Sequence, residues 1–161
     1  MSLKVKYAHT NLIARDWRTL AAFYERVFGC VVVPPERDLA GPWLEAATGV
    51  PGAHIRGVHL RLPGHGDRGP TLEIFQYTPP GPEAAYAIHR PGFGHIAFQV
   101  DDVAAARDAV LQAGGSDFGQ LVALPVAGAG VVTFVYVADP EGNVIELQSW
   151  SRGDSPPNPG T

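Results

Sequence analysis

Tyr7-Ala8-His9-Thr10-Asn11-Leu12-Ile13-Ala14-Arg15-Asp16 opens the chain, and Gly94-His95-Ile96-Ala97-Phe98-Gln99-Val100-Asp101-Asp102 stands past its middle. In each stretch a histidine begins a short run suited to a strand, and an aspartate follows seven positions later, where a helix cap belongs. Behind Asp16, the residues Leu20, Ala21, Phe23, Tyr24, Val27 and Phe28 recur at helical spacing, and Gly29 sits where a helix stops. This predicts a helix over 17–28. Behind the second stretch, Val103, Ala106, Val110 and Leu111 form an apolar stripe, predicting a helix over 103–113. Asp101 or Asp102 caps it and Gly114-Gly115 ends it.

Most of the remainder reads as short strands rich in β-branched and aromatic residues, bounded by Gly, Pro or Asp: 5–13, 30–33, 57–62, 71–77, 93–100, 120–124, 131–138 and 144–150. The order is strand–helix–strand–strand–strand, stated twice. Thr71-Leu72-Glu73-Ile74-Phe75 resembles Val144-Ile145-Glu146-Leu147-Gln148, so the repeat has an offset of 86 at the histidines and 73 at the glutamates. The difference is an insertion at about 36–56, an excursion in which Trp43-Leu44-Glu45-Ala46-Ala47 forms a helical turn. The expected organisation is α+β: a βαβββ module over 1–78, a linker over 79–92, a second βαβββ module over 93–150 and a disordered tail over 151–161.

Composition narrows the function. The 161 residues carry 12 basic and 16 acidic side chains, net −4, so phosphate backbones and anionic lipid exert no general attraction. Nucleic-acid and membrane partners are not expected. A lone Cys30 excludes an internal disulfide framework and a cysteine-based zinc cluster. No run of apolar residues is long enough to span a bilayer, and the first residues lack the apolar core of a secretory signal. The expected location is the cytoplasm.

Four polar residues occupy strand positions where a core-facing residue would be apolar: His9 and His95 on the opening strands, Glu73 and Glu146 on the closing ones. Alternation puts Glu73 on one face with Phe75 and Tyr77, opposite Leu72 and Ile74. It puts His95 with Ala97 and Gln99. If the apolar faces meet the helices, two imidazoles and two carboxylates lie on the other side, a donor set suited to a divalent metal. Any one of them alone would more simply be a surface residue or a satisfied core residue. Four at equivalent places in a repeat favour ligation.

The segments Tyr7–Leu12, Phe23-Tyr24-Glu25-Arg26-Val27-Phe28-Gly29, Pro91-Gly92-Phe93-Gly94-His95-Ile96-Ala97-Phe98 and Asp139-Pro140-Glu141-Gly142-Asn143-Val144-Ile145-Glu146-Leu147 together resemble the vicinal oxygen chelate superfamily, across about 5–150. That superfamily includes glyoxalase I, methylmalonyl-CoA epimerase, extradiol dioxygenases, fosfomycin transferases and metal-free drug-binding proteins. The resemblance implies an open barrel-like sheet of paired βαβββ units with a metal in its concavity. It matches His9, Glu73, His95 and Glu146 to the four ligands of the glyoxalase and epimerase branch. It further implies one divalent metal (Zn, Ni, Co, Mn or Fe), a homodimer and a small-molecule substrate. The implied reaction is lyase, isomerase or epimerase proton transfer next to a carbonyl through a metal-stabilised enediolate. Glu146 is then the first candidate base and Glu73 the second.

The departures are specific. Ile13 stands where glyoxalase I has an arginine, and no Asn-Trp-Gly run follows Tyr77. No basic cluster marks a coenzyme A phosphate site. Tyr136-Val137-Ala138-Asp139-Pro140 resembles the tyrosine motif of extradiol dioxygenases, although Ala127-Gly128-Ala129-Gly130 lacks their preceding histidine. A ring-cleaving dioxygenase and a non-catalytic antibiotic-binding protein are the alternative functions. His59 is read as a half-exposed strand residue that can also serve as an acid–base group, and Arg61 and Arg90 as surface cations that can hold an anion. His54, His65 and His89 are loop residues. Trp43, Phe75, Tyr77 and Trp150 are core or pocket walls, and Cys30 is buried without a partner base.

Overall fold

The computed structural model describes residues 4–83 and 87–151. Its contacts divide into two compact units, Met1–Ala85 and Tyr86–Thr161. Each joins helix to open sheet, so the chain is α+β with two mixed sheets of βαβββ type.

In the first unit, β1 (His9–Ile13), α1 (Trp17–Phe28), β2 (Val31–Ala40), α2 (Pro42–Thr48), β3 (His54–Arg61) and β4 (Thr71–Thr78) follow in order. Helix α1 has the limits the sequence predicts. Asp16 Oδ1 accepts from the backbone N–H groups of Arg18 (3.0 Å) and Thr19 (3.3 Å), which relieves donors the helix cannot satisfy itself. The Thr19 hydroxyl donates to Oδ2 at 2.7 Å, and these bonds hold the Asp16 carboxyl below its usual pKa. Gly29 ends the helix at φ +65°, a conformation open to glycine at little cost. The sheet order is β1-β4-β3-β2, with β1 parallel to β4 and the other pairs antiparallel. Leu20, Ala21, Phe23 and Tyr24 of α1 are buried, as are Val58 and Leu60 of β3 and Leu72 and Ile74 of β4. The helix packs on those two strands, which fixes the other sheet face as the one carrying Glu73.

The excursion at 36–56 differs from expectation. Both its ends are strand extending the β2–β3 hairpin, since β2 runs on to Ala40 and β3 begins at His54. The helical turn is α2. Pro34 and Pro35 have no N–H to give a ladder, and the β2–β3 register slips between Val33 and Arg37. Beyond the slip, pairing resumes and carries the hairpin outward. Leu44 anchors α2 in a cluster with Ala53 and Ile55, against which Leu39, Val50, Phe75 and Tyr77 pack.

In the second unit, β5 (Ile96–Gln99), α3 (Val103–Gln112), β6 (Ser116–Asp117), β7 (Val122–Val126), β8 (Gly130–Ala138) and β9 (Val144–Ser151) form a sheet ordered β5-β9-β8-β6, with β7 also on β8. Asp102 is the cap of α3, accepting from Ala105 N–H at 3.0 Å. Val103 and Val110 are buried, as are Val135, Val137, Ile145 and Leu147 of the strands the helix meets. The strand expected at 120–124 is β7, displaced two residues to Val122–Val126, and an unexpected short strand, β6, precedes it at Ser116–Asp117. Phe118 and Gly119 between them both donate to the Tyr136 carbonyl, at 3.3 and 3.0 Å. The opening strands are shorter than the expected 5–13 and 93–100, because ladder pairing covers only His9–Ile13 and Ile96–Gln99. Ser151, expected in a disordered tail, closes β9; residues 152–161 lie outside the described residues.

The repeat is legible in the registers. Asn11 pairs Glu73, which pairs His59; Ala97 pairs Glu146, which pairs Tyr136. The residue two positions after each histidine therefore stands beside each glutamate. Among the described residues, no helix is long and apolar enough to cross a membrane.

Asp16→Ala should lower stability by about 1 kcal/mol at neutral pH. A carboxyl with a depressed folded pKa stabilises above its unfolded value, here 3.8, and loses that contribution as pH falls through the lower folded value. Thermal melts of the two proteins should therefore converge in strong acid.

Candidate functional site

Cross-strand partners share a sheet face, so the register lists what the face opposite α1 presents. One row is Val33, His59, Glu73 and Asn11; the row before it is Val31, Arg61, Thr71 and His9. Glu73 is central, with its side chain only 11% exposed. Its Oε1 lies 3.0 Å from His59 Nε2 and its Oε2 lies 3.4 Å from His9 Nε2. The Asn11 amide donates to Oε2 at 3.3 Å. Both carboxylate oxygens are thus met by donors, as an enclosed anion requires. His59 Nδ1 lies 3.4 Å from the Thr71 hydroxyl, and its ring makes edge contacts with His9 and Phe75. Burial lowers the His59 pKa, aided by the charges of Arg37 and His9 and opposed by Glu73.

Gly57 neighbours His59 on this face. A Cβ there would come 2.1 Å from the Ile74 carbonyl oxygen and 2.5 Å from Phe75 Cδ1. Only a glycine lets the Phe75 ring lie across β3.

The second unit builds its pair by the same register. His95, one residue ahead of β5, places Nε2 2.9 Å from Glu146 Oε2. Tyr136, facing Glu146 across β8 and β9, stacks edge-on to His95 with centroids 5.2 Å apart. Burial and then the Glu146 charge raise the Tyr136 pKa, so its hydroxyl stays protonated and donates to Glu146. Phe134 and Gln148 occupy the next row.

The structure brings His9 to Glu73 and His95 to Glu146. In chemistry these two imidazole–carboxylate pairs fit the donor set of a divalent metal: nitrogen and oxygen ligands, with enclosed carboxylates and more open imidazoles. Among the described residues, no group of three or more His, Cys, Asp and Glu side chains is disposed to hold a metal ion. Sequence reasoning gave Asn11 and Arg37 no part in the site and saw Tyr136 only as a motif. The signal was there for Tyr136: it stands ten residues before Glu146, as His59 stands fourteen before Glu73. Cys30 is buried as expected, and burial pushes its thiol up to about 11.

Residues 6–147 match the Glyoxalase/Bleomycin resistance protein/Dioxygenase superfamily. The chain belongs to that superfamily. A glyoxalase family protein from Bacillus cereus shares the fold at TM-score 0.68 and 18% identity, over 95% of this chain and 97% of that one. A glyoxylase/bleomycin resistance protein/dioxygenase domain from Frankia sp. superposes at 0.58, with 16% identity over 93% and 100%. TioX from Micromonospora sp. does so at 0.51, with 18% identity over 91% and 100%. At these identities the likeness is one of fold. No curated protein matches the chain. The Glyoxalase/Bleomycin resistance protein/Dioxygenase superfamily is mostly enzymatic, with lyases, epimerases and dioxygenases beside non-catalytic resistance proteins, and divalent metals are common in it.

Gly57→Ala should destabilise the protein by about 1–3 kcal/mol, since the methyl meets backbone on one side and the Phe75 ring on the other. Urea unfolding measures it, and a mid-point equal to the native protein's would refute the close approach.

Proposed function

We propose that this chain is a metal-dependent lyase, isomerase or epimerase of glyoxalase type, moving a proton next to a carbonyl of a small metabolite. One observation carries the reading: each repeat unit sets an imidazole against an enclosed carboxylate, at the same register, on the sheet face away from its helix. In this reading His9 with Glu73, and His95 with Glu146, are the ligands offered to a divalent cation of the Zn, Ni, Co, Mn or Fe group. Bound there, the cation supplies Lewis-acid stabilisation of the negative charge that develops on a substrate oxygen.

The protein's own groups divide the remaining work. Glu73 is fastened at both oxygens by His59, His9 and Asn11, which suits a holding role. Glu146 is met by His95 and by the Tyr136 hydroxyl, and of the two carboxylates it is the freer to take a proton from carbon and return it. The Tyr136 hydroxyl orients that carboxylate, and Phe134 beside it keeps the surroundings apolar. The protein acts in the cytoplasm as a homodimer in this reading, and light scattering at the mass of one chain would correct the oligomeric state.

Elemental analysis of the purified protein should find about one divalent metal per site, lost in His9→Ala and in Glu146→Ala. Glu146→Gln should slow solvent-deuterium exchange into 2-oxoaldehyde adducts or acyl-thioesters by about 10²–10⁴-fold. No metal after reconstitution would overturn the enzyme reading in favour of a small-molecule binder. The Tyr136–Glu146 pair favours one second reading, the ring-cleaving dioxygenase, which requires iron and oxygen uptake with catechols.

A further inference from the structure

The row beyond Glu73 on the same face runs Arg37, Gly57, Phe75 and Ile13, from β2 across to β1. It starts with a cation and ends in apolar surface. Arg37 is half-buried, and among the described residues its guanidinium donates to the carbonyl of its own near neighbour Pro35. The acidic residues flanking it in sequence are engaged elsewhere: Glu36 with Arg18 at 3.3 Å, and Asp38 with His54 and with Arg56 at 3.7 Å. Among the described residues no carboxylate pairs with Arg37. Every other arginine on strands β2 to β4 has one, Arg56 with Asp38 and Arg61 with Asp67. A cation drawn partly out of water without a counter-ion is costly to hold, and its field already reaches the His59 ring in the neighbouring row. Phe75 and the half-exposed Ile13 offer apolar surface two and three strands away. With strands about 4.8 Å apart, the cation and the ring are separated by roughly 10 Å.

We infer that Arg37 is a specificity-determining residue that anchors the anionic group of the substrate, whose apolar group lies against Phe75 and Ile13. The substrate class is a small hydrophobic carboxylate. This rests on the reading that the Glu73 face receives substrate, and it adds the chemistry that the face selects. The excursion at 36–56 acquires a purpose in it: the β2 extension carries Arg37 to its row, and α2 shores up Phe75 from beyond.

The test uses the full-length protein, as purified and after removal of metal by chelator. Calorimetry measures binding of 3-phenylpropionate against 3-phenylpropionamide, probes alike in shape that differ in charge, and the metal-free protein removes any contribution from carboxylate bound to metal. The native protein should prefer the carboxylate by about tenfold, the size of one charge-assisted contact. Arg37→Gln should abolish that preference while amide binding persists, Arg37→Lys should restore part of it, and Arg56→Gln on the other face should leave it intact. Equal affinity for both probes in the native protein, or an undiminished preference in Arg37→Gln, would overturn the assignment. Circular dichroism excludes unfolding of either variant as the cause. A preference that depends on Arg37 in a protein that takes up no metal even on reconstitution would leave this inference standing and sink the metal-dependent reading alone.

Discussion

An anion in the middle of a sheet face must be answered by donors, and Glu73, 9% exposed, sets that demand on the first unit. The parallel pairing of β1 with β4 brings Asn11 and His9 to its Oε2, and the antiparallel pairing of β3 with β4 brings His59 to its Oε1. A slip of one residue in either register would turn those donors onto the face covered by α1, leaving the carboxylate bare and the apolar residues wet. The hydrophobic contact of α1 with Val58, Leu60, Leu72 and Ile74 and the polar cluster on the opposite face therefore specify the same register. Among the described residues, no buried side-chain nitrogen or oxygen lacks a partner.

The second unit repeats that scheme with one substitution of chemistry. His59 and Tyr136 stand at the same register position, one an imidazole and the other a phenol, each against its glutamate. A duplicated scaffold thereby produces two unlike carboxylates: one fixed at both oxygens by nitrogen donors, the other beside a neutral hydroxyl. Pseudo-symmetry of backbone with asymmetry of side chain is how one motif, used twice, supplies two roles.

What was legible in the sequence is what local chemistry determines. Asp16 and Asp102 cap helices through bonds within three residues of themselves, and Gly29 ends one by its own backbone, so these limits could be read directly. The faces of β4 followed from alternation, with Leu72 and Ile74 buried and Glu73 opposite. The unread parts depend on pairing between distant segments. The starts of β1 and β5 are set by where β4 and β9 offer ladder partners. The division of β6 from β7 reflects two successive N–H groups sharing one carbonyl. Arg37 gave no signal because its place comes from a register slip between Val33 and Arg37, which brings it opposite Gly57 where an unbroken ladder would bring it opposite Ile55. The pairing of Tyr136 with Glu146 was latent in their spacing, yet only the β8–β9 ladder shows that it corresponds to His59 with Glu73.

The prolines of β2 bear on how the molecule resists misassembly. β2 ends its sheet, and an outermost strand presents free N–H and C=O groups on which another chain can template a new strand. Pro34 and Pro35 remove two successive donors, one from each edge of a regular strand, and the register irregularity beside them interrupts the ladder. Pro125 stands likewise in β7, the outer neighbour of β8. Each sheet thus carries, on an outer strand, residues that cannot donate, and a ladder growing along that flank would be broken there.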